Sequence, residues 1–439
     1  MSKQFEAGVC VRDITPLPGA PLWGYGNRTG PATGTLDPLY ARAVCFRAGD
    51  SCACVVSLDL GRVPMAPVLE RIRARAHRAG VEHAIFSATH THHAPIMEFD
   101  DAPYMPGIEE AIGDAVEGAA KSLVPAQIGV GHATVDIGHN RRFVTPDGRC
   151  LMRWRNQDHL PTEPVDKEAT LIRVDTDSGA PLAVIVHYAC HPVVMGPSNL
   201  QYSGDYVGEC VRLVSERTGA TCIFLQGGAG DVNPYLDKTP IDRGGVDAMR
   251  NTGRVCADAV CGAWSGIVPR RPQTPRVQYA QTRVDTGVRW DFSDSQVLET
   301  YLTSHVWIRE LIDAYRDCLR NDLTVPASAL VLNQEIALAA VPGEFFVKFQ
   351  MELKSSSPYR HALLCGYADD FHLYFPTIRD ALAGGYGGTM ASYVGLGAGE
   401  KVLTEVKLLL AGLTGKVRPQ CVLGDFAIED DEAFKQPFP

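Results

Sequence analysis

No stretch of this chain reaches the roughly 20 consecutive apolar residues that a membrane-spanning helix needs. Its start, Met1-Ser2-Lys3-Gln4-Phe5-Glu6, has none of the basic-then-apolar pattern of a secretory signal. Basic residues do not cluster. Asp and Glu outnumber Lys and Arg by 51 to 41, a formal charge of −10, which argues against a nucleic-acid partner. No two of the thirteen cysteines stand at zinc-ribbon spacing. Those such as Cys52, Cys54, Cys190 and Cys222 fall in apolar segments and read as small buried hydrophobes of a reducing compartment. A cytoplasmic protein with no transmembrane segment is therefore expected. Neither a Gly-x-Ser-x-Gly elbow nor a Ser-x-x-Lys motif occurs, which disfavours the common serine hydrolases.

What is present is an ordinary globular composition, 45% apolar and 21% charged over 439 residues. One domain is expected over residues 1–424, followed by an acidic tail over 425–439, and nothing in the composition speaks against a homo-oligomer. Short apolar runs alternate irregularly with amphipathic stretches, so the fold class is α/β with mixed β-sheets flanked by helices. Segments 41–46 and 52–58 read as a hairpin around Gly49-Asp50-Ser51, and 169–174 with 182–186 as another. Helices are expected over 63–79, 108–123, 246–264, 293–319 and 400–413, and a single strand over 330–341. Polar chemistry follows the ends of the apolar runs: Asp59, His90, His191, Gly227 to Asp231, Glu344 and Asp369. In open α/β sheets, ligand sites form at that edge.

Three of the thirteen histidines fall in Thr89-His90-Thr91-His92-His93, directly after the apolar run 83–86. On a continuing strand, His90 and His92 would share a face, and neutral imidazoles suit a borderline metal such as zinc. Of His187 and His191, at the end of another strand, one is expected to be a ligand and the other to pack. Glu344 follows Pro342-Gly343 and is expected in the first turn of a helix, whose N-terminus favours an ionised carboxylate. Gln226 to Pro234 holds a glycine-rich loop that could cradle an anion, although it lacks the Lys-Ser/Thr of a nucleotide loop. Asp231 in that loop is a candidate orienting partner for a histidine. Tyr386 stands among Gly384, Gly385, Gly387 and Gly388, an unusual setting for a core tyrosine. The passage Gly24 to Gly34 could bring backbone close to a ligand.

Taken in order, Asp13-Ile14-Thr15, Leu39 to Ala43, Asp59-Leu60-Gly61, Thr89-His90-Thr91-His92, Asn140-Arg141, His191-Pro192, Gly230 to Pro234, Pro342-Gly343-Glu344 and Ala368 to Tyr374 with Tyr386 resemble the neutral/alkaline (non-lysosomal) ceramidase family. The resemblance runs from about residue 7 to 410, over that family's N-terminal catalytic domain and short of its C-terminal immunoglobulin-like domain. It implies a ceramidase-like catalytic fold and one zinc ion per chain, held by His90, His191, Glu344 and Tyr374. It further implies that His92 is the second motif histidine, Arg141 a substrate-facing arginine and Tyr386 a transition-state tyrosine. The family cleaves the amide bond of N-acylsphingosines. Its serine nucleophile falls on Gly227, which has no side chain, so covalent acyl transfer at that position is ruled out. The expectation is a zinc-dependent hydrolase in which metal-activated water cleaves an amide of an N-acyl or related small substrate. His92 or Asp231 would be the general base, and Arg141 and Tyr386 would stabilise the oxyanion. An esterase or lactonase on the same site, and an inactive metal-stabilised binding protein, are the alternatives.

Overall fold

The computed structural model of the protein describes residues 4–416 apart from 307. The acidic tail expected over 425–439 lies outside the described residues. The layers run helix, sheet, sheet, helix. Eight strands form the large sheet: β1 (Phe5–Asp13), β2 (Tyr40–Ala48), β3 (Ser51–Leu58), β4 (His83–Ala88), β5 (Val124–Thr134), β6 (Glu168–Thr176), β7 (Pro181–Tyr188) and β8 (Thr221–Gln226). They lie in the order β8-β7-β6-β5-β1-β2-β3-β4. The small sheet is β9 (Val277–Asp285), β10 (Thr324–Leu332), β11 (Ile336–Ala340) and β12 (His361–Cys365), in that order. Three neighbouring pairs are parallel, β3 with β4, β7 with β8 and β11 with β12. The other pairs within the two sheets are antiparallel.

Period-2 alternation assigns the two faces of the large sheet. On β2, Ala41, Ala43 and Cys45 face α1 (Ala66–Arg78) and α2 (Met105–Lys121), while Val44, Phe46 and Ala48 face the small sheet. There Val44, Phe46 and Ile223 meet Leu330, Leu338 and Leu363 in a core between the sheets. Helices α3 (Asp205–Thr218) and α4 (Gly245–Trp264) complete the first helical layer. The far side of the small sheet is covered by α5 (Ser295–His305), α7 (Val347–Ser356) and α8 (Ala398–Leu413), with α6 (Ile312–Cys318) following α5. Cys52, Cys54, Cys190 and Cys222 are buried and free. No described helix is long and apolar enough to cross a membrane.

Two expected elements divide. The strand foreseen over 330–341 is a hairpin, because Asn333 and Gln334 both take positive φ (54° and 62°) in a tight turn. The turn is the polar Asn333-Gln334-Glu335 that interrupts the apolar run. The helix foreseen over 293–319 breaks after His305, where Val306 is extended. The β-branched Val306 and Ile308 at the break are weak helix formers, and packing uses them instead.

The large sheet curls until its edge strands β4 and β8 come near each other. Ser57 Oγ on β3 donates to the Phe224 carbonyl on β8 at 2.6 Å. The chain leaving β12 bridges the two edges. Gly366 N donates to Gln226 O at 2.9 Å, and Ala88 N donates to Tyr367 O at 3.1 Å. The carboxyl ends of β4, β7, β8, β11 and β12 therefore meet at one place.

Candidate active site

His90, His92 and His191 converge there, with one nitrogen from each ring lying within 4.8 Å of the others, a group able to hold a metal ion. The route differs from a continued strand. Strand β4 stops at Ala88, and His90 takes a left-handed conformation (φ 69°), a strain that a well-packed site can hold. The turn still brings the rings together, with His92 Nε2 3.4 Å from His90 Nε2. His90 Nδ1 is 2.7 Å from the Gly61 carbonyl, and His191 Nδ1 is 2.6 Å from the Ala229 carbonyl. A carbonyl only accepts, so each Nδ1 carries the proton and each Nε2 presents a lone pair toward the centre.

Glu344 completes this centre. Its Oε2 lies 2.9 Å from His191 Nε2 and 3.4 Å from His90 Nε2. It does not sit in a helical first turn. Glu344 and Phe345 form a two-residue parallel bridge with Tyr374 and Phe375, and α7 begins only at Val347. Burial alone would raise its pKa, but His90 and His191 outweigh burial and hold it well below the usual carboxylate range. Burial and the nearby Arg141 push His191 down to about 4, against the pull of Glu344. The His191 ring and the Glu344 carboxylate thus meet at hydrogen-bond distance in a buried site. His92 is pushed well below its ordinary pKa by burial and by His90 and His191, and its Nδ1 has no partner.

Arg141 is buried and reaches back to Asn233 Oδ1 (3.1 Å) and the Gly230 carbonyl (2.6 Å). Its guanidinium lies over the rings of Trp154, Tyr374 and Tyr386, 5.1–5.4 Å from their centroids. Burial would lower its pKa, but Tyr374 and Glu344 hold it above its usual value. The Tyr374 and Tyr386 rings meet edge to face at 5.4 Å, and both line a cavity shared with His92 and Glu344. The glycines beside Tyr386 serve close packing: a Cβ on Gly387 would sit 2.9 Å from Tyr374.

Asp231 touches no histidine. Its carboxylate accepts from Asn140 Nδ2 and Val347 N at 2.7 and 2.8 Å, and its carbonyl accepts from Arg141 N at 2.8 Å. Burial raises its pKa to about 6. The neighbouring glycine loop is no anion nest, because protein acceptors take its amides. Gly227 N donates to Tyr188 O, Gly228 N to Gln350 Oε1 and Gly230 N to Phe345 O. A Cβ on Gly227 would lie 2.1 Å from Gln350 Oε1, so the carboxamide occupies the space a side chain would need.

Of the two strand-end histidines, His187 packs, with Nε2 donating to the Leu364 carbonyl at 2.9 Å. His93 turns away toward Arg28 and Asn199. Asp59 pairs with Arg42 at 2.6 Å, and Asp369 with Arg73 at 2.7 Å. The glycine-rich passage does approach the site: Gly24 (φ 97°) leaves room for His92, whose ring would be 2.4 Å from a Cβ there. Two site residues had no motif to mark them. Trp23 sets its ring edge-on to His90 and His92, at 5.0 and 5.1 Å. Tyr367 lies against His90 at 4.1 Å between centroids, and its buried hydroxyl has no partner. Their only sequence signals were position: one opens the glycine passage and the other follows the end of β12.

The sequence profile of neutral/alkaline non-lysosomal ceramidases, N-terminal part, matches residues 5–261. The crystal structure of neutral ceramidase from Pseudomonas aeruginosa superposes with a TM-score of 0.72 at 18% identity, covering 96% of this chain and 76% of that one. A ceramidase complexed with C2 gives a TM-score of 0.72 at 17% identity, covering 96% and 77%. At such identities these likenesses establish a shared fold, and the profile match establishes kinship. The chain belongs to the neutral/alkaline non-lysosomal ceramidase family.

Proposed function

We propose that the protein is a zinc-dependent hydrolase that cleaves the amide C–N bond of an N-acyl substrate. The observation that carries this reading is the contact between His191 Nε2 and Glu344 Oε2 at 2.9 Å. With His191 Nδ1 committed to a carbonyl, two acceptors face each other in a buried site. A divalent cation resolves that contact, and nitrogen ligands with one carboxylate suit zinc. His90, His191 and Glu344 would hold the ion, with Tyr374 closing the set. Zinc there would supply Lewis-acid activation of water and polarisation of the substrate carbonyl.

The remaining groups divide the chemistry. Water adds to the carbonyl carbon while His92, kept neutral by its surroundings, takes the proton. The oxygen that gains charge is met by the Tyr386 hydroxyl. The Arg141 guanidinium beneath both tyrosine rings adds positive charge beside it. The C–N bond then breaks, and the proton passes from His92 to the leaving nitrogen. Asp231 serves as a positioning residue that ties Asn140 and Arg141 to the start of α7. The filled space at Gly227 supports direct attack by water over an acyl-enzyme route. Family membership favours an amide; an ester or lactone presents the same carbonyl.

The test is metal content by plasma mass spectrometry, paired with turnover of a panel of N-acyl amides, esters and lactones. About one zinc per chain with chelator-sensitive amide cleavage is expected. His90→Ala should lose the metal and at least about a thousandfold in turnover. Full occupancy and normal turnover in that variant would overturn the assignment, and metal without turnover of any panel member would favour a binding protein.

A further inference from the structure

A carbonyl at Nδ1 orients the rings of His90 and His191, but His92 has no such bond. Its buried Nδ1 meets no partner, so the ring is oriented by its own backbone and by what packs on it. One short stretch of the glycine-rich passage, Trp23 to Arg28, supplies both. The Trp23 ring stands edge-on to His92 at 5.1 Å, and the Tyr25 ring lies tilted against it at 4.8 Å. Gly24 between them leaves the imidazole its room. Tyr25 is itself tied down, its hydroxyl donating to the Met195 carbonyl at 3.0 Å.

Arg28 holds the backbone. Its Nη2 donates to the His92 carbonyl and its Nη1 to the Trp23 carbonyl, both at 2.5 Å. Nε donates to the Asn199 carbonyl at 3.4 Å. Nη2 also lies 3.0 Å from His93 Nδ1, which Asn199 Nδ2 approaches at 3.2 Å. Two donors converge on that nitrogen, so it is the acceptor. The guanidinium sits 4.9 Å over the Tyr25 ring. Among the described residues no carboxylate pairs with it, and burial lowers its pKa to about 10. A neutralising partner is thus not what places this cation. Its planar fork suits several acceptors at fixed angles, and here they are the carbonyls of His92 and of the tryptophan packed on its ring.

Building on the reading of His92 as the base, we infer that Arg28 is a positioning residue for the reaction. By fastening the His92 and Trp23 carbonyls to one guanidinium, it holds the His92 ring with Nε2 turned toward His90, 3.4 Å away. The ligand histidines do not depend on it, because the Gly61 and Ala229 carbonyls orient them.

Arg28→Lys tests this, since an ammonium keeps the charge but loses the fork. In the metal-replete full chain it should lower kcat about tenfold to a hundredfold, with KM and metal content at wild-type values. In a His92→Ala background the same substitution should cost less than about twofold, because no base is left to position. Unchanged kcat, an equal loss in both backgrounds, or loss of metal in Arg28→Lys would overturn the inference. If no amide is cleaved, the hydrolase reading fails separately, and the histidine rings report the clamp without turnover. In nuclear magnetic resonance with isotope-labelled histidine, the His92 signal is identified by its absence from His92→Gln. It should shift or broaden in Arg28→Lys while the His90 and His191 signals stay in place. An unmoved His92 signal would refute the clamp.

Discussion

The two halves of the molecule contribute to the site in different ways. The large-sheet half delivers His90 and His191 on rings clamped by the Gly61 and Ala229 carbonyls, close behind strand ends. The small-sheet half delivers Glu344, Tyr374 and Tyr386 from a two-residue bridge and a glycine-flanked turn, and it adds the cavity wall. The first half fixes donor direction, as a metal site demands. The second shapes what can approach, and its short irregular segments can vary without disturbing the histidines. A clamped histidine pair faces a wall built from short segments of the other half.

Arg141 crosses this division, since it belongs to the first half but lies under the phenols of the second. Arg141→Lys should lower kcat about a hundredfold, because an ammonium cannot stack on two rings while bonding Asn233 and Gly230. Metal content should stay at the wild-type level. Loss of metal in that variant would show that the halves are not separable.

Gly227 tests the seam from the other side. Gly227→Ser should cost on the order of 3 kcal/mol in urea unfolding, because the new Cβ collides with the Gln350 carboxamide held by Asp166. A serine tolerated without loss of stability would mean that this carboxamide is free to leave.

The smallest expected effect lies at His187, whose ring joins β7 to β12. Burial, reinforced by Lys354, lowers its pKa to about 4, below the roughly 6.5 of an unfolded chain. Between those values the unfolded state binds more protons, so the stability present above about pH 6.5 is lost as pH falls. The group contributes about 2 kcal/mol of loss between pH 7 and 5. His187→Gln, which keeps a donor for Leu364, should shrink the pH-dependent loss by that amount; an equal loss would place the acid sensitivity elsewhere.

Hydrophobic periodicity and turn residues determined most of the elements by themselves. The hairpin at Gly49-Asp50 and the amphipathic helices were legible because each depends on neighbours in sequence. The histidine stretch was legible as a candidate metal site for the same local reason, whereas roles for Glu344, Tyr374 and Tyr386 came only with the family resemblance. Tertiary structure alone decided how they meet. Curling of the large sheet, bridged by the chain after β12, set Glu344 against His191 across 153 positions. It gave Asp231 to Asn140 and Val347 instead of a histidine. It placed Trp23 and Tyr367 beside His90, and filled the space at Gly227 with Gln350. Each of these outcomes depends on close packing between segments far apart in the chain, which no local pattern records.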